Sequence, residues 1–257
     1  MSKLILFDID GTLVSYSTNP GHIPDATKQA VDMLKQSGHK LAVATGRSLL
    51  TARPVMEQLG ITHAVLCGGA HVVSGSRLVL LERLEKEIAD RVARRSMELG
   101  CSVFACSDRA IFLGNCDEES WDYVRSQSGD KEAAQPIGRM KDICMMSIYG
   151  EKLPEANLMQ GCSITQYHHA LEVRAPGVTK ASGMAVLARF LGIPIHDTVA
   201  VGDNENDVEI LGSAGVGIAV GGSSRGAREA ADILAGPIEE GGILAVMKQI
   251  GLILEGT

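Results

Sequence analysis

Residues 4–7, LILF, form an unbroken apolar run that ends on two aspartates two positions apart, Asp8 and Asp10. A run so short and so apolar predicts a strand covered on both faces, as in a parallel sheet. Residues 23–38 then switch to helical spacing, with Ala30, Val31 and Leu34 on one side, Pro24 near the start and Gly38 past the end. Residues 40–45 (KLAVAT) are a second buried strand. Residues 47–60 predict a helix kinked or restarted at Pro54 and stopped by Gly60, and residues 63–69 (HAVLCGG) a third strand. The order β-α-β-α-β predicts an α/β fold, a doubly wound parallel sheet of Rossmann-like form with right-handed crossovers.

The rhythm changes near residue 75. Residues 71–82 predict a hairpin about Gly75-Ser76, and residues 82–100 a charged amphipathic helix with one face packed and the other solvated. Residues 101–114 predict two strands joined at Asp108-Arg109, and residues 142–150 and 170–175 two more. Met145 and Met146 are expected in the core. Strands joined by hairpins indicate an antiparallel α+β module. From residue 175 the first rhythm returns: a loop and helix, the buried strand DTVAVGD, and further strand and helix patterns to the end. The simplest organisation is one α/β core, residues 1–80 and 178–257, interrupted by an inserted α+β cap at 81–177.

Composition narrows the partners. Apolar residues make up 45% of the 257, enough for a substantial core, and aromatics only 4%. The net charge of −7 argues against nucleic acid or an anionic membrane as partner, since both need a positive face. Six cysteines, at 67, 101, 106, 116, 144 and 162, form no CxxC pair and read as reduced thiols. No apolar run approaches the ~18 residues of a membrane span, and no secretory leader pattern precedes the first strand. A soluble cytoplasmic protein is expected; composition does not fix its oligomeric state.

The chemistry lies at strand ends. Residues two apart on a strand share a face, and open α/β sheets bind ligands beyond the carboxyl ends of their strands. Asp8 and Asp10 sit at one such end, Asp203 at another with Asp207 four residues on, and Thr45 at a third. Clustered carboxylates must take up protons or share a cation. Oxygen donors with few nitrogens favour a hard ion, Mg²⁺ foremost. Four acids, one divalent ion and one lysine still leave one negative charge, which a protonated Asp10 would remove while also serving as general acid. His168-His169, with no third ligand near, reads as a polar strand position.

These segments resemble the motifs of the haloacid dehalogenase superfamily of phosphotransferases. DIDGT (8–12) resembles its first motif, VATGRS (43–48) its second, Lys180 in GVTKASGM its third and GDNENDVEIL (202–211) its fourth. All four stand in the family's order. An insertion between the second and third fits the branch of Cof-type sugar-phosphate phosphatases. The resemblance implies a Mg²⁺-dependent phosphomonoester hydrolase acting on a small phosphorylated metabolite. Asp8 would be the nucleophile that forms an aspartyl-phosphate, and Asp10 the acid and base. Thr45 and backbone N–H groups near Asp10 and Gly46 would bind the phosphoryl oxygens, and Lys180 would neutralise charge. Asp8, the Asp10 carbonyl and Asp203 would hold Mg²⁺, with Asn206 and Asp207 in support. Gly11 and Gly46 would let backbone approach the phosphate. Arg47 is either a substrate contact or a solvated charge at a helix start. Where such phosphatases usually carry Asn-Gly after the third strand, this chain has Cys67-Gly68-Gly69, so an amide contact to substrate is not expected there. A phosphomutase and a non-catalytic phosphate-binding protein are the alternatives on this scaffold.

Overall fold

A computed structural model describes residues 2–18 and 21–253. In chain order the elements are β1 (Leu4–Phe7), α1 (Asp25–Gln36), β2 (Lys40–Ala44), α2 (Leu49–Leu59), β3 (His63–Leu66), β4 (His71–Ser74), β5 (Arg77–Leu81) and α3 (Lys86–Glu98). Then come β6 (Ser102–Cys106), β7 (Ile111–Gly114), α4 (Glu118–Ser128), β8 (Ala134–Pro136), β9 (Met145–Tyr149), β10 (Ser163–Gln166) and β11 (Ala170–Arg174). The chain closes with α5 (Lys180–Leu191), β12 (Thr198–Gly202), α6 (Val208–Ser213), β13 (Val216–Ala219), α7 (Arg225–Ala230), β14 (Ile233–Leu234) and α8 (Gly242–Gln249).

Two sheets result. The larger has the order β14-β13-β12-β1-β2-β3-β4-β5. Its strands run parallel from β14 to β3, and β4 and β5 add an antiparallel edge. All four side chains of β1 are buried, as its unbroken apolar run predicts. They alternate between two cores. Ile5 and Phe7 pack with α1, α2 and α8, while Leu4 and Leu6 pack with α5 and α6. Burying one such side chain is worth about 1.5–3 kcal/mol, so the sheet's centre is also its most stable part.

The second sheet, β10-β11-β9-β6-β7-β8, is antiparallel except where β8 joins β7. The period-2 alternation again decides what each face does. Val103, Ala105, Met146, Ile148, Leu171 and Val173 pack beneath α3 in one core. Phe104, Ser147, Tyr149 and Glu172, on the other face, line the crevice between the two sheets.

Some elements differ from expectation. The helix expected over 82–100 is Lys86–Glu98, because the backbone before it is used elsewhere. Glu82 N–H donates to Ala70 O at 2.7 Å and Leu84 N–H to Ile143 O at 2.7 Å, an extended link between the sheets. Pro54 lies inside α2 and does not divide it. Residues 168–169 occupy the exposed turn between β10 and β11 rather than a strand. Met145 and Met146 are buried, as expected. Helix α4 escaped the pattern because only Val124 on it is buried. Its signals are local: Asp117 caps it by accepting from Ser120 N–H, and Gly129 ends it at φ 65°. Among the described residues no helix is long and apolar enough to cross a membrane.

Candidate active site

The larger sheet reverses its winding between β1 and β12, the position where open α/β sheets bind ligands. These strands are parallel neighbours with Phe7 opposite Val201, so Asp8 and Asp203 emerge at the same end. The Asp8 N–H extends the ladder to Val201 O at 2.9 Å. The carboxylates of Asp8, Asp203 and Asp207 offer oxygens that lie within 4.8 Å of one another. Among the described residues this is the one His, Cys, Asp and Glu cluster close enough to share an ion.

Lys180 binds this cluster together. It is the first residue of α5, behind a Thr179–Ser182 capping box. A cation at a helix N-terminus is disfavoured by the helix dipole, and Lys180 is also buried. Its compensation is direct: Nζ donates to Asp8 Oδ1 at 2.8 Å, to Asp207 Oδ1 at 2.7 Å and to Asn206 Oδ1 at 3.2 Å. Burial pushes Lys180 toward neutrality, but Asp207 and Asp8 outweigh it and raise its pKa. Asp207 is spent on scaffolding, for its second oxygen accepts from the N–H groups of Asp203 and Asn204, both at 3.1 Å.

Asp203 is held at one oxygen by Thr12 Oγ1, which donates at 2.8 Å. Burial lifts the Asp203 carboxyl to about 6, against that hydrogen bond, and Asp207 adds to the rise. Asp8 is also raised, first by burial and then by Asp207, Asp10 and Asp203, despite Lys180. Two carboxylates raised in this way mark a site short of positive charge. An all-oxygen donor set of this kind fits Mg²⁺, which Asp8 and Asp203 are free to hold. Gly11 is needed beside them, because its φ is +85° and an added Cβ would lie 2.4 Å from Asp203 Oδ2.

Asp10 faces the other way, and a protonated Asp10 is not what this arrangement favours. Its carboxylate accepts from Arg47 Nε at 2.9 Å and from the second guanidinium arm at 2.5 Å, and from the Tyr16 hydroxyl. Burial pushes Asp10 up, but Arg47, Tyr16 and Lys180 outweigh it and hold it below the usual carboxylate range. Arg47 is not solvated either, for its side chain is only 10% exposed. Its charge was missing from the sequence-based sum. With Arg47 and Lys180 counted, four carboxylates keep two negative charges, which one divalent ion neutralises.

Thr45 is buried at the end of β2, its N–H bonded to Val65 O at 2.9 Å, and its side chain accepts from Arg47 N–H at 3.1 Å. Gly46 lies beneath the second sheet, where an added Cβ would sit 3.0 Å from Glu172 Oε1. Asp8, Asp10, Thr45, Gly46, Arg47 and Asn206 all line one cavity of about 890 Å³. Cys67 is absent from that lining and is buried among apolar neighbours including Ala70, Cys144 and Met145. Burial pushes its thiol pKa up, so it is inert packing. All six cysteines are free.

Sequence reasoning missed the Tyr16–Asp10–Arg47 contact, the Thr12–Asp203 bond and the contribution of α4. Thr12 was legible, standing inside DIDGT. Tyr16 and α4 left no periodic signal.

Fold, site and the relatives below together define a hydrolase of the phosphatase class on a doubly wound α/β scaffold. The model of the haloacid dehalogenase-like hydrolases matches residues 5–247, and the chain belongs to that family. The HMP-PP phosphatase of Cronobacter sakazakii (strain ATCC BAA-894) is 30% identical over 237 residues, 86% of this chain and 85% of that protein. The 5-amino-6-(5-phospho-D-ribitylamino)uracil phosphatase YcsE of Bacillus subtilis (strain 168) is 25% identical, covering 96% of this chain and 94% of its own. Among solved structures, the HAD subclass IIB sugar phosphatase BT4131 superposes with a TM-score of 0.86 at 26% identity, covering 98% of this chain and all of that one.

Proposed function

We propose that this chain is a Mg²⁺-dependent phosphomonoester hydrolase that works through an aspartyl-phosphate on Asp8, with small phosphorylated metabolites, sugar phosphates among them, as substrates. The observation that carries the reading is Lys180, buried and bonded at once to Asp8 and Asp207 beside Asp203. A lysine so placed fixes a nucleophile and neutralises a transferring phosphoryl group.

In this reading an Asp8 oxygen attacks phosphorus and the bond to the ester oxygen breaks. Asp10 supplies the proton that the leaving alcohol takes, and later removes one from the water that hydrolyses the aspartyl-phosphate. To do so Asp10 must first part from Arg47 and take up a proton from solvent, since the pair holds it ionised. The arriving phosphate is a competitor for that guanidinium, since Arg binds phosphate bidentately. Thr45 and the Gly46 N–H receive phosphoryl oxygens. Asp8, Asp203 and the Asp10 carbonyl would hold Mg²⁺, which would supply charge stabilisation when bound, while Asp207 and Asn206 keep the surrounding groups in place. Residues 81–177 act as a cap that excludes water and reads the leaving group. The free cysteines suit a reducing, cytoplasmic setting.

Phosphate release from a panel of phosphate esters with Mg²⁺, with Asp8→Asn as control, tests the reading. Equal release by both proteins rules out this nucleophile. Isomerised sugar phosphate without free phosphate points to a mutase instead.

A further inference from the structure

Three of the four tyrosines, Tyr123, Tyr149 and Tyr167, line the cavity that holds Asp8. The fourth, Tyr16, does not. It borders a neighbouring cavity of about 960 Å³ that shares Arg47 and Tyr123 with the first. Its hydroxyl nevertheless donates to Asp10 Oδ1 and accepts from Arg47 Nη2 at 2.8 Å. The phenol is thus joined to the proposed acid and base without lining the space where substrate binds.

The loop after β1 sets the ring in this place. Gly11 N–H donates to Val14 O at 2.9 Å, and Ser15 and His22 exchange backbone hydrogen bonds at 2.8 and 2.9 Å. The ring lies over Gly21, where an added Cβ would stand 2.7 Å from Tyr16 Cε1. Tyr16 is still 57% exposed, so core packing is not what it contributes. Burial of the hydroxyl, and then the Asp10 carboxylate, raise its pKa, which keeps the O–H a donor.

The two oxygens of Asp10 are held differently. Oδ1 accepts from Tyr16 and from Arg47 Nη2. Among the described residues, Oδ2 accepts from Arg47 Nε alone, at 2.9 Å. A phosphate that draws the guanidinium away therefore frees Oδ2 and leaves Oδ1 on Tyr16. One oxygen becomes available to a proton while the other stays anchored. A reacting group is effective only while its geometry is held through the step it serves.

We propose that Tyr16 is a positioning residue for the proton transfer: it keeps Asp10 Oδ1 fixed as Arg47 turns to the phosphate, so that Oδ2 is the oxygen that carries the proton. This rests on the phosphatase reading above. Oδ2 takes its proton from solvent and gives it to the ester oxygen as the bond to phosphorus breaks and the bond from Asp8 forms. Asp10 is left a carboxylate, and Oδ2 then accepts a proton from the attacking water. Tyr16 itself exchanges no proton with substrate.

Two esters of similar shape separate positioning from packing. Benzyl phosphate expels an alkoxide and needs the acid, whereas p-nitrophenyl phosphate expels a stable phenolate and needs it far less. With Mg²⁺ present, kcat/KM covers the steps up to the aspartyl-phosphate, in which the leaving group departs. Tyr16→Phe should lower kcat/KM for benzyl phosphate about tenfold more than for p-nitrophenyl phosphate. Gly21→Ala, which displaces the ring but keeps the hydroxyl, should move the same ratio in the same direction. In an Asp10→Asn background, Tyr16→Phe should produce no further loss on benzyl phosphate, because the two side chains act as one unit. Equal losses on both esters, or a full further loss on top of Asp10→Asn, overturn the inference, and the phosphatase reading stands so long as Asp8→Asn is inactive. Equal phosphate release by the wild-type protein and Asp8→Asn removes the nucleophile and this inference together.

Discussion

Arg47 and Asp10 form a two-pronged ion pair, Nε to Oδ2 at 2.9 Å and the second arm to Oδ1 at 2.5 Å, that ties the loop after β2 to the loop after β1. The guanidinium beside the proposed phosphoryl-binding loop is therefore the one that restrains the proposed acid and base. Arg47→Gln should raise KM for phosphate esters about tenfold through loss of a charge-assisted pair. Arg47→Lys should recover only part of this, because an ammonium cannot reproduce the fork. Steady-state kinetics on one good ester decides it: an unchanged KM in the Gln variant removes Arg47 from the binding step.

Asp8→Asn should lower kcat at least about a thousandfold, the scale of losing a covalent nucleophile. Intact-mass measurement of the wild-type protein quenched during turnover should reveal one added phosphoryl group, and the variant none. An adduct that survives in Asp8→Asn would assign the intermediate elsewhere.

Lys180→Met leaves Asp8 and Asp207 buried without their cation, and the side-chain exposures of this triad are 1%, 7% and 1%. Breaking a buried pair from one side costs roughly 3–5 kcal/mol. The chemical-denaturation midpoint in EDTA should fall accordingly, and phosphate release should be lost. An unchanged midpoint would mean that the triad does not hold the folded state together.

The pH dependence follows from Asp203, lifted to about 6 by burial. A carboxyl whose folded pKa exceeds its unfolded one favours the folded state while protonated. Its contribution is fully present below the ordinary carboxylate range near pH 4 and lost as pH rises through about 6. Without metal, this group should make the protein less stable at pH 7.5 than at pH 5. Mg²⁺ binds the ionised form, so its stabilisation should be larger at pH 7.5 than at pH 5. Thermal melts with EDTA or Mg²⁺ at both values check this, and a Mg²⁺ shift that grows toward low pH would contradict it.

Gly11→Ala places a methyl 2.4 Å from Asp203 Oδ2 in a backbone at φ +85°. Either strain or displacement of Asp203 must follow. Mg²⁺ affinity, read from the concentration that half-restores activity to EDTA-treated enzyme, should weaken roughly tenfold. Ala at Gly38, where φ is +80° but nothing lies within 4 Å, should leave that concentration unaltered.

Much of this architecture is local in origin. An apolar run such as Leu4–Phe7 can be satisfied only between two helical layers, so the doubly wound parallel sheet is written in the pattern of the chain, while its strand order is not. Chain direction then fixes that Asp8, Thr45 and Asp203 leave their strands at one end. The four motifs thus gave the family, and candidate site residues that the fold brings together at one end of the sheet. They could not give the Tyr16–Asp10–Arg47 contact or Glu172 beside Gly46. Partners separated by 37 positions in one case and 126 in the other leave no trace in periodicity. Those contacts exist because twisted sheets and their loops converge in space, and electrostatics then selects among the groups that meet. The sequence by itself determined the buried strands of the larger sheet, their α/β alternation and the carboxylates at the strand ends, since each depends on neighbours along the chain, but not the short strands β8 and β10 of the second sheet. Only the tertiary structure decided which charges are paired, which tyrosines share a cavity and where Asp10 points, since each depends on distances between segments far apart in sequence.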